Sequence, residues 1–138
     1  MRINFLVVVA AFSLLVAAAP VWAHHAFAAE FDGNKQVKLR GTVSKMEWIN
    51  PHAWIHLDVK GTDGSVVSWM IELGPPNALL KRGWTKKDVP AGIELIVEGY
   101  LAKDGAMRAN GRDITFPDGK KLFAGSSGTG TPDERPAK

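Results

Sequence analysis

Downstream of a long apolar opening, the chain falls into runs in which apolar and polar residues alternate. Val37, Leu39, Gly41 and Val43 alternate with Lys38, Arg40, Thr42 and Ser44. Ala53, Ile55, Leu57 and Val59 alternate with His52, Trp54, His56 and Asp58. Val67, Trp69, Ile71 and Leu73 alternate with Ser68, Met70 and Glu72, and Ile93, Leu95 and Val97 with Glu94 and Glu98. Period two puts one set on a core face and the other on an opposite surface, so each run predicts a strand. The fourth strand reaches about Ala102, a fifth spans about Met107 to Phe116, and Leu122-Phe123 adds a last short one. Gly61-Thr62-Asp63-Gly64, Lys103-Asp104-Gly105 and Pro117-Asp118-Gly119 carry hairpin-turn chemistry, and Gly74-Pro75-Pro76 stops strand three. Asn77 to Gly83 lacks the period and predicts a short helix, with proline near its start, cations near its end and glycine just after. Trp84 is expected to pack back on the sheet. In the first run the apolar phase slips, because Met46 and Trp48 have the other parity. Such a slip marks a bulge or bend, with Gly41 the candidate.

Strand, strand, strand, short helix, strand, strand, with a long bent first strand, predicts a small all-β domain. The expected form is a five-stranded OB-fold-like Greek-key barrel with one short helix between strands 3 and 4. An SH3-like barrel or split sandwich is the structural alternative, and the position of the helix favours the OB form. Residues 36–123 form this domain, 24–35 a lead-in anchored by Phe27 and Phe31 and broken by Asp32-Gly33-Asn34, and 124–138 a disordered tail.

Residues 1–23 read as a signal peptide. Arg2 charges a short n-region, Phe5 to Pro20 is apolar without a charge, and Val21-Trp22-Ala23 offers small residues for cleavage. The apolar run is shorter than the roughly 20 residues of a membrane span. The expected location is the periplasm or exterior, with no membrane span after cleavage. Export without a single cysteine excludes disulfides, thiolate catalysis and Cys-type zinc sites. The signal holds one of 17 basic residues and none of 14 acidic ones, so the mature charge is 16 − 14 = +2. That is too mild for a nucleic-acid partner.

The chain has no G-x-S-x-G, H-E-x-x-H or glycine-rich phosphate loop, which weighs against hydrolase and nucleotide chemistry. The sharper signal is histidine: all four, His24, His25, His52 and His56, lie in the first third of the mature chain. Cleavage after Ala23 makes His24 the N-terminus, where its amine and imidazole can chelate one ion. His25 adds a neighbouring donor. A nitrogen-rich set suits Cu(II) first, then Ni(II) or Zn(II). His52 and His56 stand about 13 Å apart by strand rise and do not share one ion. The expected metal set is therefore His24, His25 and His52. A wider ligand surface, on the loop between strands 1 and 2 and the outer faces of strands 2 and 3, comprises Asn50, His52, Trp54, His56, Asp58, Met70 and Glu72. Structural roles compete with each of these: His24-His25 as the polar end of the signal region, His52 as a cap on the Asn50-Pro51 turn, His56 bonded to Asp58, and Trp54 covered by Phe27 or Phe31.

His24-His25-Ala-Phe27, Glu30-Phe31-Asp32, Gly41-Thr-Val43 and Trp48-Ile-Asn50-Pro51-His52, with Trp69 and Arg82-Gly83-Trp84, resemble an uncharacterised family of small exported bacterial proteins, carried as a domain of unknown function. The resemblance runs to about Leu122 and implies no known activity. Haem handling, as in an exported OB-fold haem chaperone, is disfavoured: no histidine follows His56, and Tyr100 is the one tyrosine. The expected function is a non-enzymatic periplasmic binding module holding a divalent metal, copper first, through its new N-terminal histidines. The alternative is a metal-independent module that meets an envelope protein or small ligand through the strand-2 face; a copper-dependent enzyme ranks third.

Overall fold

A computed structural model of the chain describes residues 26–126. Residues 26–30 form a helical turn that runs into β1, Phe31–Glu47. There follow β2 (Trp54–Lys60), β3 (Val66–Glu72), helix α1 (Pro76–Lys81), a 3-10 turn (Lys86–Asp88), β4 (Glu94–Ala102), β5 (Arg108–Thr115) and β6 (Lys121–Phe123). The fold is thus small and all-β, as the alternation predicts. The helix lies between β3 and β4, with Pro75 at its N-cap and Pro76 opening its first turn.

The strands make one sheet in the order β3-β2-β1-β4-β5-β6, and β3 also pairs with β5 in parallel. Hydrogen bonding therefore runs in a ring through β1, β2, β3, β5, β4 and back to β1, while β6 extends from β5. The ring encloses most of the predicted inward set, with Val67 the exception: it is exposed near the start of β3. Ala53, Ile55 and Leu57 of the β2 region, Ile71 and Leu73 beside β3, Leu95 and Val97 of β4, and Ile114 of β5 are almost fully buried. Trp84 packs on the same core, and its Nε1–H donates to the Phe123 carbonyl at 2.9 Å.

Three local expectations change. β1 begins at Phe31, because Phe31 already pairs with Ala102 of β4. Asp32-Gly33-Asn34 interrupts the register without ending the strand: pairing resumes at Gln36, and the Asn34 N–H bonds the Asp32 side chain at 3.0 Å. The phase slip in β1 falls at Ser44, where Val43 faces Leu57 and Lys45 faces His56, so two steps on β1 match one on β2. Gly41 has another task. A Cβ there would lie 2.6 Å from the Asp58 carbonyl oxygen, so glycine lets β2 cross close above it. At the other end, Ala124, Gly125 and Ser126 are buried, and the Ala124 N–H donates to the Arg112 carbonyl at 2.7 Å. The packed chain therefore continues past residue 123. Among the described residues, no helix is long and apolar enough to cross a membrane.

Candidate functional site

The lead-in folds over one end of the ring. Phe31 is buried there, stacked on Phe27 with ring centroids 5.8 Å apart, and Phe27 meets Tyr100 edge-on at 5.5 Å. The Lys103 N–H donates to the Glu30 carbonyl at 2.9 Å, the Lys103 ammonium bonds the Ala28 carbonyl, and Arg108 pairs with the Glu30 carboxylate at 3.3 Å. Arg108 also lies over the Phe31 ring, 5.6 Å from its centroid.

This docking encloses a cavity of about 110 Å³. Ala26, Phe27, Glu30 and Phe31 form its lead-in wall; His52, Glu72 and Ser126 form the other. His52 comes from the irregular 48–53 connection, in which the Asn50–Pro51 peptide is cis. Its neighbour Ala53 extends the β2–β3 ladder, accepting from the Leu73 N–H at 2.8 Å and donating to Gly74 at 3.2 Å. That positions the His52 ring against the same turn of chain. Its Nδ1 lies 2.9 Å from the Leu73 carbonyl oxygen, which can only accept, so Nδ1 carries a hydrogen and donates it.

Glu72 is expected on the outer face of strand 3, yet its side chain is only 11% exposed. It ends β3, directly opposite Trp54, and its carboxylate is nearly buried. Oε1 lies 3.8 Å from His52 Nδ1 and accepts a hydrogen bond from Asn110 Nδ2 at 3.1 Å. Burial pushes its carboxyl above the ordinary glutamate value; His52, the Asn110 hydrogen bond and Arg108 pull the other way, and Glu30 adds to the rise.

The remaining expected residues separate from this cavity. His56 stands on the outer face of β2, where its Nε2–H donates to Glu47 Oε1 at 3.1 Å and not to Asp58. Glu47 also bonds Lys45, and this contact, the larger cause, helps hold its carboxyl below the usual range. Asp58 instead accepts the Ser68 hydroxyl. Met70 faces His56 across the β2–β3 pairing and is exposed, while Trp54 is half-buried. Asn50 is exposed in the loop. The structure brings together only His52 and Glu72 of the seven ligand-surface residues at the cavity; His24 and His25 lie outside the described residues. Among the described residues, no three His, Asp or Glu side chains converge as a metal cluster. A larger depression of about 420 Å³ lies over β1, β4 and β5, but Glu98 on its floor is already paired with Lys38 and Lys121.

Periodicity passed over Glu30, Arg108 and Asn110. The available signal for Asn110 is its setting: Asn110-Gly111 has hairpin chemistry yet stands inside a strand-length run, and it proves to be mid-strand and fully buried.

Residues 11–111 match the model of a family of unknown function, DUF6152. The chain belongs to this family. No curated protein and no solved structure matches it. The DUF6152 match spans the whole lead-in, His52, Glu72 and Asn110, so all the cavity residues except Ser126 fall within the family region.

Proposed function

We propose that this DUF6152 protein is an exported, non-enzymatic binding module with an OB-like barrel, and that its ligand is a divalent metal ion, copper first. The ring order β1-β2-β3-β5-β4, with a helix between β3 and β4, supports the OB-like assignment. The observation that carries the metal reading is the pinned His52 imidazole at a cavity whose opposite wall begins at Ala26. Metal-binding histidines characteristically donate their other N–H to a carbonyl or carboxylate, which fixes the ring and its tautomer. Ala26 follows His24-His25 directly in sequence. Two residues of chain reach at most about 7 Å. After cleavage at Ala23, the His24 amine and both imidazoles would lie within two residues of Ala26 in sequence, and they are the donors proposed to complete a set with His52.

N-terminal sequencing of the exported protein should give His24; a start at Ala26 or later removes the proposed site. Cu(II) titration should then show tight binding with an authentic His24 terminus and much weaker binding when one residue precedes it. Equal affinity for the two forms overturns the assignment. Absence of turnover with copper, reductant and oxygen separates the module from a copper-dependent enzyme.

A second reading draws on β3. Val66, Val67 and Met70, with Met107 beside them, are exposed, and β5 pairs with β3 only from Met70 to Glu72. An apolar edge of this kind suits a metal-independent contact with an envelope protein through the β2–β3 face. Loss of partner capture on Val67→Lys, with Cu(II) binding intact, would favour it.

A further inference from the structure

We propose that the open edge of β3 pairs with itself: the protein forms a two-fold symmetric dimer in which β3 of one copy adds antiparallel to β3 of a second, centred on Val67. The dimer depends neither on the metal function nor on a foreign envelope partner.

The first support is where the backbone groups of β3 point. The Leu73 N–H donates to the Ala53 carbonyl on the β2 side at 2.8 Å, and the Met70 N–H donates to the Met107 carbonyl on the other side at 3.0 Å. Backbone groups alternate sides along a strand, so Val67 and Trp69 direct theirs to β2 while Val66 and Ser68 direct theirs away from it. β5 pairs with β3 only from Met70 to Glu72. Among the described residues, no strand pairs with Val66 or Ser68 on that outer side.

The second support is the side chains. Val66, Val67, Met70 and Met107 are exposed, although Val67 has the parity of the core residues. Native sheets blunt a free edge with charge, proline or a bulge. This edge has none of them: no charged residue or proline stands between Gly64 and Ile71, and the β2–β3 register is unbroken.

The third support is the fit of a second copy. The free stretch is short, because β5 takes over at Met70 and the chain turns away through Gly61 to Gly64 at the other end. Setting Val67 against Val67 of the second copy puts Val66 opposite Ser68 and Ser65 opposite Trp69. It also puts Gly64 opposite Met70, so the turn of each copy leaves the pairing where β5 of the other begins. Val66 and Ser68 carry the outward groups, so each such pair exchanges both of its N–H···O bonds. The two Val67 residues form a non-hydrogen-bonded pair with Cα atoms about 4.5 Å apart, and Val66 lies diagonal to Met70 of the other copy. The stretch is uncharged, so the symmetric pairing sets no charge against its like. An isologous contact also closes, since each copy uses its one open β3 edge.

The test uses the exported full-length protein with a metal chelator present. In analytical ultracentrifugation, wild type should pass from monomer to dimer between about 1 μM and about 1 mM, as expected of a small interface. Val67→Lys and Val67→Glu each set like charges opposite one another and should each weaken the dimer at least about tenfold. An equimolar mixture of the two should restore a mixed dimer, because residue 67 meets itself only in this register. Hydrogen exchange of wild type needs no substitution: the Val66 and Ser68 amides should slow as concentration rises, while Val67 and Trp69 stay protected throughout. Wild type that remains monomeric over the whole range overturns the proposal and leaves the metal function untouched. A dimer that survives both substitutions overturns the assignment to this edge, and a mixture that stays monomeric overturns the register. Exchange at Val66 and Ser68 that does not respond to concentration overturns the dimer even where the variants fail to fold.

Discussion

His52 and His56 are four residues apart in sequence and share a parity, yet the fold gives them different surroundings. His56 stands on a regular strand, its imidazole paired at the surface with Glu47, which Lys45 also holds. His52 lies just before the strand, in an irregular connection. Its ring is bonded to the Leu73 carbonyl, and beside it are a nearly buried carboxylate and the docked lead-in. Strand geometry alone separates the two by distance. Their side chains are comparably exposed, 31% and 26%, so the difference lies in the neighbours: the lead-in and Glu72 stand beside His52, and Glu47 beside His56. A histidine becomes a site candidate through what fixes its ring and which groups stand beside it, more than through its place in an alternating pattern.

The contrast can be broken most forcefully at its hinge. Phe31→Ala removes the aromatic that ties the lead-in to the end of the ring and is expected to cost about 3–5 kcal/mol in urea unfolding, with loss of Cu(II) binding as the lead-in detaches. Retained binding in this variant would show that the docked lead-in is dispensable. Next, His52→Ala should weaken Cu(II) binding by about 100-fold, against less than about twofold for His56→Ala, both by chelator competition. Equal losses would erase the distinction between the two histidines.

Glu72 sharpens the comparison through stability. Burial raises its carboxyl above the ordinary value of 4.5, so the metal-free folded state binds that proton more tightly than the unfolded chain does. The stabilisation that comes with protonation is complete below 4.5 and is lost as pH rises through the folded-state value. Glu72→Gln, which is neutral throughout, should therefore exceed wild type in Tm at neutral pH by a few degrees, on the order of 1 kcal/mol. The advantage should shrink toward zero as pH falls below about 4.5. An advantage that grows on acidification would contradict the burial argument. The smallest effect belongs to the outer pair: Glu47→Gln should change unfolding free energy by no more than about 0.5 kcal/mol, and less at high salt.

Much of the fold was legible because it is written locally. Alternation placed the strands to within a residue or two except at the start of β1, and turn chemistry placed the hairpins. At Gly64, for example, the backbone takes φ 84°, which suits the expected Asp-Gly turn. The parity of Ala53, Ile55 and Leu57 named core residues correctly. The early start of β1 was not legible, because Asp32-Gly33-Asn34 looks like a break when its pairing partner Ala102 is unseen. Ser44 as the bulge was hidden behind the more suggestive Gly41, whose task depends on how closely Asp58 passes. Of the candidate site, His52 and Glu72 were on the expected surface. Their separation from Trp54, His56, Asp58 and Met70 was not foreseen, since residues of one parity on paired strands look equivalent until something covers part of that face.

By itself the sequence determined the strand periods, the turns, the helix between β3 and β4 and the clustering of histidines, all consequences of backbone geometry over a few neighbouring residues. Only the tertiary structure decided that residues 26–31, His52, Glu72 and Asn110 meet around one cavity. That meeting requires β3 to pair with β5 and the lead-in to pack on Tyr100 and Arg108, contacts between segments far apart in the chain. The charge, burial and orientation of Glu72 follow from it, because each is set by neighbours that sequence spacing does not bring together.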